Sequence, residues 1–199
     1  NDDDLVLIDG STHAGEEEIL IKVFERQKET FPNLRLIIAP RHIERTGNVS
    51  RLIEKMGFIP VLKTRLDSSN YNWQNTKKEI ILIDTVGDLG KIYSLANYVF
   101  VGKSLVPSGG QNMMEPAGLG KPVIFGPHTF NFKEEVDLLL KNNAAKMVET
   151  EDELFKTIES FIKNPDVAKE MGLKAQKLVN EKRGATERNM EIIKNILKK

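Results

Sequence analysis

The first residues whose types could do chemistry stand at positions 9–16, in the sequence DGSTHAGE, directly after a short apolar run. Ser11 and Thr12 carry hydroxyls, and a stretch with the apolar period of a helix follows them. The free N–H groups of a helix N-terminus favour an anion, to which Ser11 and Thr12 could also donate. The same hydroxyls could instead cap the helix. The pattern is compatible with both roles at once.

A second pair of residues, Arg41 and His42, follows the apolar run 34–39 and Pro40. The planar guanidinium of Arg41 can hold a phosphate, a carboxylate or a base edge through parallel hydrogen bonds. The alternative for Arg41 is an ion pair with a nearby Glu at the surface. We assign Arg41 and His42 to the candidate site.

The glycine-rich segment 103–116 (KSLVPSGGQNMMEP) gives the strongest signal. A Ser-Gly-Gly turn that leads into a helix exposes backbone N–H groups suited to a phosphate. Asn112 and Glu115 share one side of the first helical turn, so the Glu115 carboxylate could accept hydrogen bonds from two ribose hydroxyls. The pair could instead form a capping box, with Asn112 as the cap. The residues that we assign to the site from this segment are Ser108, Gly109, Gly110, Gln111, Asn112 and Glu115.

A fourth segment, Val86, Gly87 and Asp88, follows the apolar run 80–84. Gly87 permits a close approach of the backbone to a ligand. Asp88 can cap the next helix, which is its simpler role. We assign all three residues to the candidate site.

Short β-rich runs and longer amphipathic stretches alternate along the chain, and these elements must position the four segments. Strands are predicted at 5–8, 34–39, 60–64, 80–84, 98–102, 122–125 and 145–148, and helices at 15–30, 43–56, 88–95, 112–119, 132–141, 151–163, 167–182 and 186–197. Continuous apolar runs are typical of strands buried on both faces, so the pattern predicts an α/β fold with a parallel sheet. Ligands of such sheets lie beyond the carboxyl ends of the strands, where all four segments fall.

The chain shows no internal repeat and no low-complexity linker, so we interpret residues 1–199 as one domain. The polar stretch 66–78 interrupts the alternation, and we predict an exposed, mobile loop there. The sequence begins without Met and without a signal peptide, which indicates a processed product or a fragment.

Composition argues against several other kinds of protein. Lys plus Arg and Asp plus Glu each number 29, and cysteine is absent. Balanced charge argues against a large nucleic-acid surface, and the lack of cysteine removes disulfides, thiolate metal sites and Cys nucleophiles. No apolar run approaches the ~20 residues of a membrane-spanning helix, so we expect a soluble chain.

Known cofactor and hydrolase motifs are also missing from the sequence. It contains no Walker A pattern, no Gly-x-Gly-x-x-Gly after the first strand and no Gly-x-Ser-x-Gly elbow. His13, His42 and His128 each follow a different strand, but isolated loop histidines more often line a site than hold a metal. We predict neither a metal nor a cofactor.

Taken together, these motifs resemble the carboxyl-terminal half of the 3-deoxy-D-manno-octulosonic acid (Kdo) transferases of lipopolysaccharide synthesis. The matching segments, in the same order along the chain, are 11–17 (STHAGEE), 40–45 (PRHIER), 84–89 (DTVGDL), 104–107 (SLVP), 109–117 (GGQNMMEPA), 125–128 (FGPH) and 131–132 (NF), and 183–186 (RGAT) also fits. Single motifs are weak, but seven in order over nearly the whole chain are specific.

The resemblance implies a GT-B fold, in which two Rossmann-like domains enclose the active site. This chain would be the half that binds the nucleotide-sugar donor CMP-Kdo, and a lipid A precursor would be the acceptor. A carboxylate general base and a membrane-contacting segment are expected in an amino-terminal half absent from this chain. The whole protein would work at the cytoplasmic face of the bacterial inner membrane, without a metal at the catalytic centre.

The resemblance also suggests roles for the assigned residues. The Gly109-Gly110 turn, its helix N-terminus and Arg41 would stabilise the negative charge on the departing CMP. Ser11 and Thr12 would add neutral donors, Glu115 would hold the ribose, and the backbone around Val86–Asp88 would contact the cytosine edge.

Two residues depart from the family pattern at this site. Gln111 stands where the family usually has His, and Lys103 where it usually has a second Gly. Gln111 cannot be a cation, so this chain would neutralise a phosphate there more weakly or would use Lys103. Met113 and Met114 replace the usual Pro-Leu, which we interpret as a change in packing.

Two other functions stay open at this stage. The chain could be the donor half of another GT-B enzyme that uses a UDP-sugar, because the spacing of Asn112 and Glu115 fits either nucleotide. It could also be a non-catalytic nucleotide-binding module.

Overall fold

The described part of the chain, residues 3–68 and 77–197, forms one sheet of seven parallel strands in this computed structural model. The strands are β1 (Leu5–Thr12), β2 (Leu34–Pro40), β3 (Ile59–Leu62), β4 (Glu79–Leu82), β5 (Tyr98–Val101), β6 (Val123–Phe125) and β7 (Lys146–Met147). Their order across the sheet is β3-β4-β2-β1-β5-β6-β7, so β1 lies in the middle. The parallel sheet predicted from the continuous apolar runs is confirmed.

Helices cover both faces of this sheet. They are α1 (Glu16–Thr30), α2 (Thr46–Lys55), α3 (Lys63–Leu66), α4 (Leu89–Ile92), α5 (Met114–Gly118), α6 (Lys133–Lys141), α7 (Glu151–Lys163) and α8 (Pro165–Leu197), with 3-10 turns at Ile43–Arg45 and Tyr93–Leu95. Helices α1, α2 and α7 pack on one face, and α4, α5 and α6 pack on the other. Leu7 and Ile8 of β1 are fully buried in the two opposite layers, which explains why the strand is continuously apolar.

The end of the chain is one helix where two were predicted. Helix α8 runs from Pro165 to Leu197, so the break expected at 183–185 is wrong. A single Gly in a helix interior costs only about 1 kcal/mol relative to Ala, and Gly184 is insufficient to end α8. The side chains of residues 183–193, which include the RGAT motif, lie outside the described residues, as does the segment 69–76 of the predicted loop.

The helix that follows the glycine-rich segment begins later in the chain than predicted. Helix α5 begins at Met114 rather than at Asn112, and Asn112 Oδ1 accepts a hydrogen bond from the Met114 N–H at 3.0 Å. An Asn side chain that bonds the backbone two residues ahead favours a turn over a helix. The resulting helix has only 5 residues, so its dipole contributes little to an anion site.

Candidate functional site

A cavity of about 390 Å³ lies at the carboxyl edge of the sheet. Its lining residues come from the end of β1, the loop after β2, the segment between β4 and β5 and the segment between β5 and β6. They are Ser11, Arg41, Gly87, Leu89, Gly90, Tyr93, Gln111, Asn112 and Glu115. A smaller cavity of about 120 Å³ adjoins it, shares Ser11, Arg41 and Gly87, and adds Val86. The larger volume is within the range of small-molecule sites. The structure therefore brings residues from all four predicted segments to one place.

Arg41 is the cation of this cavity. Its backbone N–H donates to the Thr12 carbonyl at 3.1 Å, which fixes the residue at the end of β2. Its side chain is exposed and forms no ion pair with a carboxylate among the side chains that the structure describes. The surface ion pair that the sequence left open for Arg41 is thus not formed among these residues, and the guanidinium can meet an anion.

Glu115 presents a carboxylate to the same cavity. Helix α5 has Met113 as its N-cap, without a side-chain hydrogen bond, so the capping box proposed for Asn112 and Glu115 is not formed. Glu115 is exposed, and its Oε1 would lie 2.7 Å from a Cβ built on Gly90. Glycine at position 90 therefore leaves room for this carboxylate beside α4.

Tyr93 forms the floor of the cavity. Its hydroxyl packs against Gly10, where a Cβ would come within 2.0 Å of it. Burial raises the pKa of Tyr93, and the charges of Glu115 and Asp9 raise it further. Tyr93 is therefore a neutral hydroxyl in the physiological range.

Thr12 does not supply a hydroxyl to the cavity, so this expectation is wrong. Strand β1 extends through Thr12, which is fully buried. Its Oγ1 donates a hydrogen bond to Glu17 Oε1 at 2.7 Å. Ser11 stays in the lining, with a φ of 60° in the left-handed region. Neither hydroxyl caps α1, whose N-cap is Gly15 without a side-chain hydrogen bond.

The glycine turn is not an open cradle of N–H groups. Gly109 and Gly110 are buried, and the Gly110 N–H donates to the Lys103 carbonyl at 2.7 Å. The Ser108 N–H donates to the Val106 carbonyl at 2.6 Å. These donors are used within the loop, so the predicted backbone cradle for phosphate is wrong at these two amides. The segment contributes Gln111 and Asn112 to the lining instead.

His42 and Asp88 lie outside the lining of both cavities. His42 is exposed and precedes the 3-10 turn, where its carbonyl accepts the Arg45 N–H at 3.0 Å. Asp88 Oδ2 accepts a hydrogen bond from Thr85 Oγ1 at 2.6 Å and lies 3.3 Å from Lys63 Nζ. These hydrogen bonds from Thr85 and Lys63 lower the pKa of Asp88. Asp88 therefore stabilises the turn after β4.

Glu16 is a residue of this edge that the sequence did not reveal. Its side chain is fully buried, and Oε1 accepts the N–H groups of Ser104 at 2.7 Å and Leu105 at 2.9 Å. Its Oε2 accepts those of Lys103 at 2.6 Å and His13 at 2.9 Å. Glu16 stands in the matching segment 11–17, which indicated no role for its side chain. Nothing in the sequence could indicate bonds to residues 87 to 89 positions away.

The neighbouring Glu17 is also buried, but it braces a different pair of loops. Its carboxylate accepts two hydrogen bonds from the Arg45 guanidinium, at 2.7 and 3.1 Å, and one from Thr12. Fork-to-fork pairs of this kind are strong and directional. Glu17 therefore fixes the end of β1 against the turn that follows Arg41 and His42.

Asp9 is the third acid near the start of α1. It is fully buried in β1, and neither carboxyl oxygen has a hydrogen-bond partner among the described residues. Burial raises the pKa of Asp9 well above its ordinary value, and the charges of Glu16 and Glu17 add to the shift. Asp9 is thus held as the neutral acid over a wider pH range than a free side chain.

The three histidines do not assemble into a metal centre in the described part of the chain. Among the side chains that the structure describes, no group of three from His, Asp and Glu is placed to hold a metal ion. Among the described residues, no helix combines the length and apolar character that crossing a membrane requires.

In comparison with known proteins, the chain is similar to curated 3-deoxy-D-manno-octulosonic acid transferases. No protein-family model matches it. It is 33% identical over 195 residues to a 3-deoxy-D-manno-octulosonic acid transferase of Haemophilus influenzae, a match that covers 98% of the chain and 44% of the relative. The chain therefore spans less than half the length of this curated relative.

Two solved structures resemble the fold. The C-terminal CMP-Kdo binding domain of WaaA from Acinetobacter baumannii matches with a TM-score of 0.79 and 26% identity, over 88% of this chain and 89% of that one. The C-terminal domain of a glycosyl transferase group 1 family protein (LpcC) from Francisella tularensis matches with a TM-score of 0.58 and 14% identity, over 90% and 86%. The sheet and its helices therefore have the fold of GT-B carboxyl-terminal domains.

Proposed function

We propose that this chain, a homologue of the carboxyl-terminal part of the Kdo transferases, is the donor-binding half of a glycosyltransferase. The donor would be CMP-Kdo, and the whole protein would move Kdo to a lipid A precursor in lipopolysaccharide synthesis. The main support is the convergence of residues from four separate segments of the chain on one cavity that is lined by Arg41 and Glu115.

The opposite charges of Arg41 and Glu115 suit the two ends of a nucleoside monophosphate. The guanidinium can bind the phosphate through parallel hydrogen bonds and stabilise the charge that develops when CMP departs. The Glu115 carboxylate can accept hydrogen bonds from ribose hydroxyls, and it would repel a phosphate. The phosphate is thereby directed toward Arg41 and the ribose toward Glu115.

The adjoining small cavity offers a place for the base. It is lined by Val86 and Gly87 of the turn after β4, together with Ile43 and Ile83. Gly87 has a φ of 88°, so this turn exposes backbone without a side chain. Apolar contact with a ring and backbone polar groups at its edge would suit cytosine.

The acceptor and the general base would belong to an amino-terminal domain, as the resemblance implies. The curated relative is more than twice as long as the region that matches this chain, which supports a protein of two domains. We expect contact with the inner membrane through that domain, at the cytoplasmic face. The 199-residue chain alone should bind CMP and should not transfer Kdo.

Calorimetric titration of the chain with CMP, UMP and AMP tests the proposal. CMP should bind more tightly than UMP or AMP. Equal binding of UMP would favour the donor half of an enzyme that uses a UDP-sugar, and no binding of any nucleotide would contradict the proposal.

The variant Glu115→Ala tests the ribose assignment within this proposal. Loss of a charge-assisted hydrogen bond should cost about 1.5–3 kcal/mol, which is roughly a tenfold to hundredfold loss of CMP affinity. Binding of inorganic phosphate should not weaken. Because Glu115 caps no helix, the melting temperature should stay close to that of the wild type, and unchanged CMP affinity would show that the assignment is wrong.

A further inference from the structure

The carboxylate of Glu16 makes contacts that its place at the start of α1 does not require. A glutamate in the first turn ordinarily interacts with the dipole and N–H groups of its own helix. Glu16 instead accepts hydrogen bonds from three consecutive N–H groups of the loop after β5, those of Lys103, Ser104 and Leu105. Its remaining bond, from the His13 N–H, comes from the loop after β1.

We propose that Glu16 is a positioning residue for the nucleotide site. Its carboxylate holds the loop after β5 against the end of β1, so that the two segments together line the cavity. This inference rests on the proposed function for the identity of the ligand.

A short chain of contacts joins Glu16 to both walls of the cavity. Lys103 donates its N–H to Glu16, and its carbonyl accepts the Gly110 N–H at 2.7 Å. Gly110 directly precedes Gln111, which lines the cavity. On the other side, His13 donates to Glu16 and stands two residues after Ser11, the lining residue from β1.

The backbone of the loop after β5 needs such a support. Lys103 adopts a φ of 61°, a left-handed conformation that is unfavourable for a residue with a side chain. Such conformations persist where surrounding contacts over-determine them. The hydrogen bond from Lys103 to Glu16 and the one that Lys103 accepts from Gly110 supply those contacts.

The loop after β6 is held through the same point. Ser104 donates its N–H to Glu16, and its Oγ accepts the Gly126 N–H at 2.8 Å. Its carbonyl accepts the His128 N–H at 2.9 Å. Displacement of Ser104 would therefore disturb the loop after β6 as well.

Four N–H groups on two oxygens require a carboxylate. Glutamine has the same size, but it offers one oxygen and an NH₂ group that only donates. In Glu16→Gln, two of the four backbone N–H groups would therefore face a donor. Glu17→Gln is the matched control, because Glu17 is equally buried and adjacent but makes no contact with the loop after β5 among the described residues.

The experiment compares the wild type, Glu16→Gln and Glu17→Gln by CMP titration and by amide hydrogen exchange. In Glu16→Gln, CMP affinity should fall by about tenfold or more, since small misplacements of site groups have effects of this size. Exchange at Lys103, Ser104 and Leu105 should accelerate. In Glu17→Gln, exchange at these three amides should stay close to that of the wild type, because the bonds of Glu17 go to Thr12 and Arg45.

Two results would overturn the inference. One is a Glu16→Gln protein that melts at a lower temperature but binds CMP within about twofold of the wild type, because a positioning role requires a loss of affinity of about tenfold or more. The other is an equal acceleration of exchange at Lys103, Ser104 and Leu105 in both variants, which would indicate general destabilisation.

A measurement on the wild type covers the case in which Glu16→Gln does not fold. If the loop and the site are coupled, CMP binding must slow exchange at Lys103, Ser104 and Leu105. Unchanged exchange at these amides in the CMP complex would overturn the inference. Failure of the wild type to bind CMP would instead refute the proposed function, and the exchange contrast between the variants would still test whether Glu16 orders the loop.

Discussion

Gly90 lies next to the Glu115 side chain, so a substitution at Gly90 can disturb the proposed ribose site while Glu115 itself is kept. A methyl group on Gly90 would meet only the flexible end of Glu115, with Oε1 at 2.7 Å. We expect Gly90→Ala to displace the carboxylate and to weaken CMP binding by about tenfold, the loss of one charge-assisted hydrogen bond. Stability should stay equal or rise, because Ala is favoured over Gly in a helix such as α4.

A double-mutant cycle measured by calorimetry separates this effect from a direct clash with the ligand. In the Glu115→Ala background, Gly90→Ala should have no further effect on CMP affinity, because the group that it displaces is gone. Additive losses of affinity would mean that the methyl group itself blocks the nucleotide.

At the scale of single residues, the buried Asp9 makes the free energy of unfolding depend on pH. Burial is the main cause of its raised pKa, so the folded state keeps a proton that the unfolded state loses near pH 4. The folded state therefore binds more protons above that pH, and stability falls as pH rises toward the raised pKa. The slope contributed by one such group reaches about 1.4 kcal/mol per pH unit.

The variant Asp9→Asn removes this titration while keeping the shape of the side chain. We expect urea unfolding between pH 4 and pH 8 to show wild-type stability declining relative to that of Asp9→Asn as pH rises. Parallel stability curves for the two proteins would contradict the assignment of a retained proton to Asp9.

At the scale of elements, the packing of α8 against the turn after α5 limits what position 172 can hold. A Cβ on Gly172 would lie 2.1 Å from the Gly120 carbonyl oxygen, which is backbone and cannot swing away. Gly47, in the exposed first turn of α2, has nothing within 4 Å of such a Cβ. Substitution by Ala should therefore change the stability of the fold in opposite directions at these two glycines.

We expect Gly172→Ala to destabilise the fold by about 1–3 kcal/mol, the usual cost of overpacking, despite the better helix propensity of Ala. Gly47→Ala should stabilise it by up to about 1 kcal/mol. Thermal or urea unfolding measures both. A stabilised Gly172→Ala would show that α8 does not approach the Gly120 turn this closely.

The central strands were predictable because they are buried on both faces and so are continuously apolar, as Leu7 and Ile8 illustrate. The convergence of Ser11, Arg41 and Glu115 followed from their places after parallel strands. The direction of the Thr12 hydroxyl could not be predicted in this way, because the hydroxyl donates to Glu17, which is itself held by Arg45. Contacts between residues far apart in the chain are not encoded in local spacing.

The whole molecule has no net charge, so attraction of a phosphate depends on where individual cations stand. Many lysines elsewhere pair with acids one turn away on the same helix, as in Lys22–Glu18 and Lys174–Glu170. Arg41 has no such partner in the described residues and faces the cavity. A phosphate group in the cavity would therefore meet a guanidinium that is free to bind it.

From this distribution, we expect CMP binding to depend on Arg41 and not on a divalent metal. Arg41→Ala should weaken CMP by roughly tenfold to hundredfold, as expected for a lost hydrogen bond between charged groups, and the dependence of the affinity on salt should decrease. Arg51→Ala is the matched control, since Arg51 is exposed on α2 and bonds only Asn48 among the described residues. Calorimetry with EDTA and with added Mg²⁺ should give the same CMP affinity. A loss of binding in EDTA, restored by Mg²⁺, would mean that a cation bridges the phosphate to the protein and that Arg41 is not its main partner.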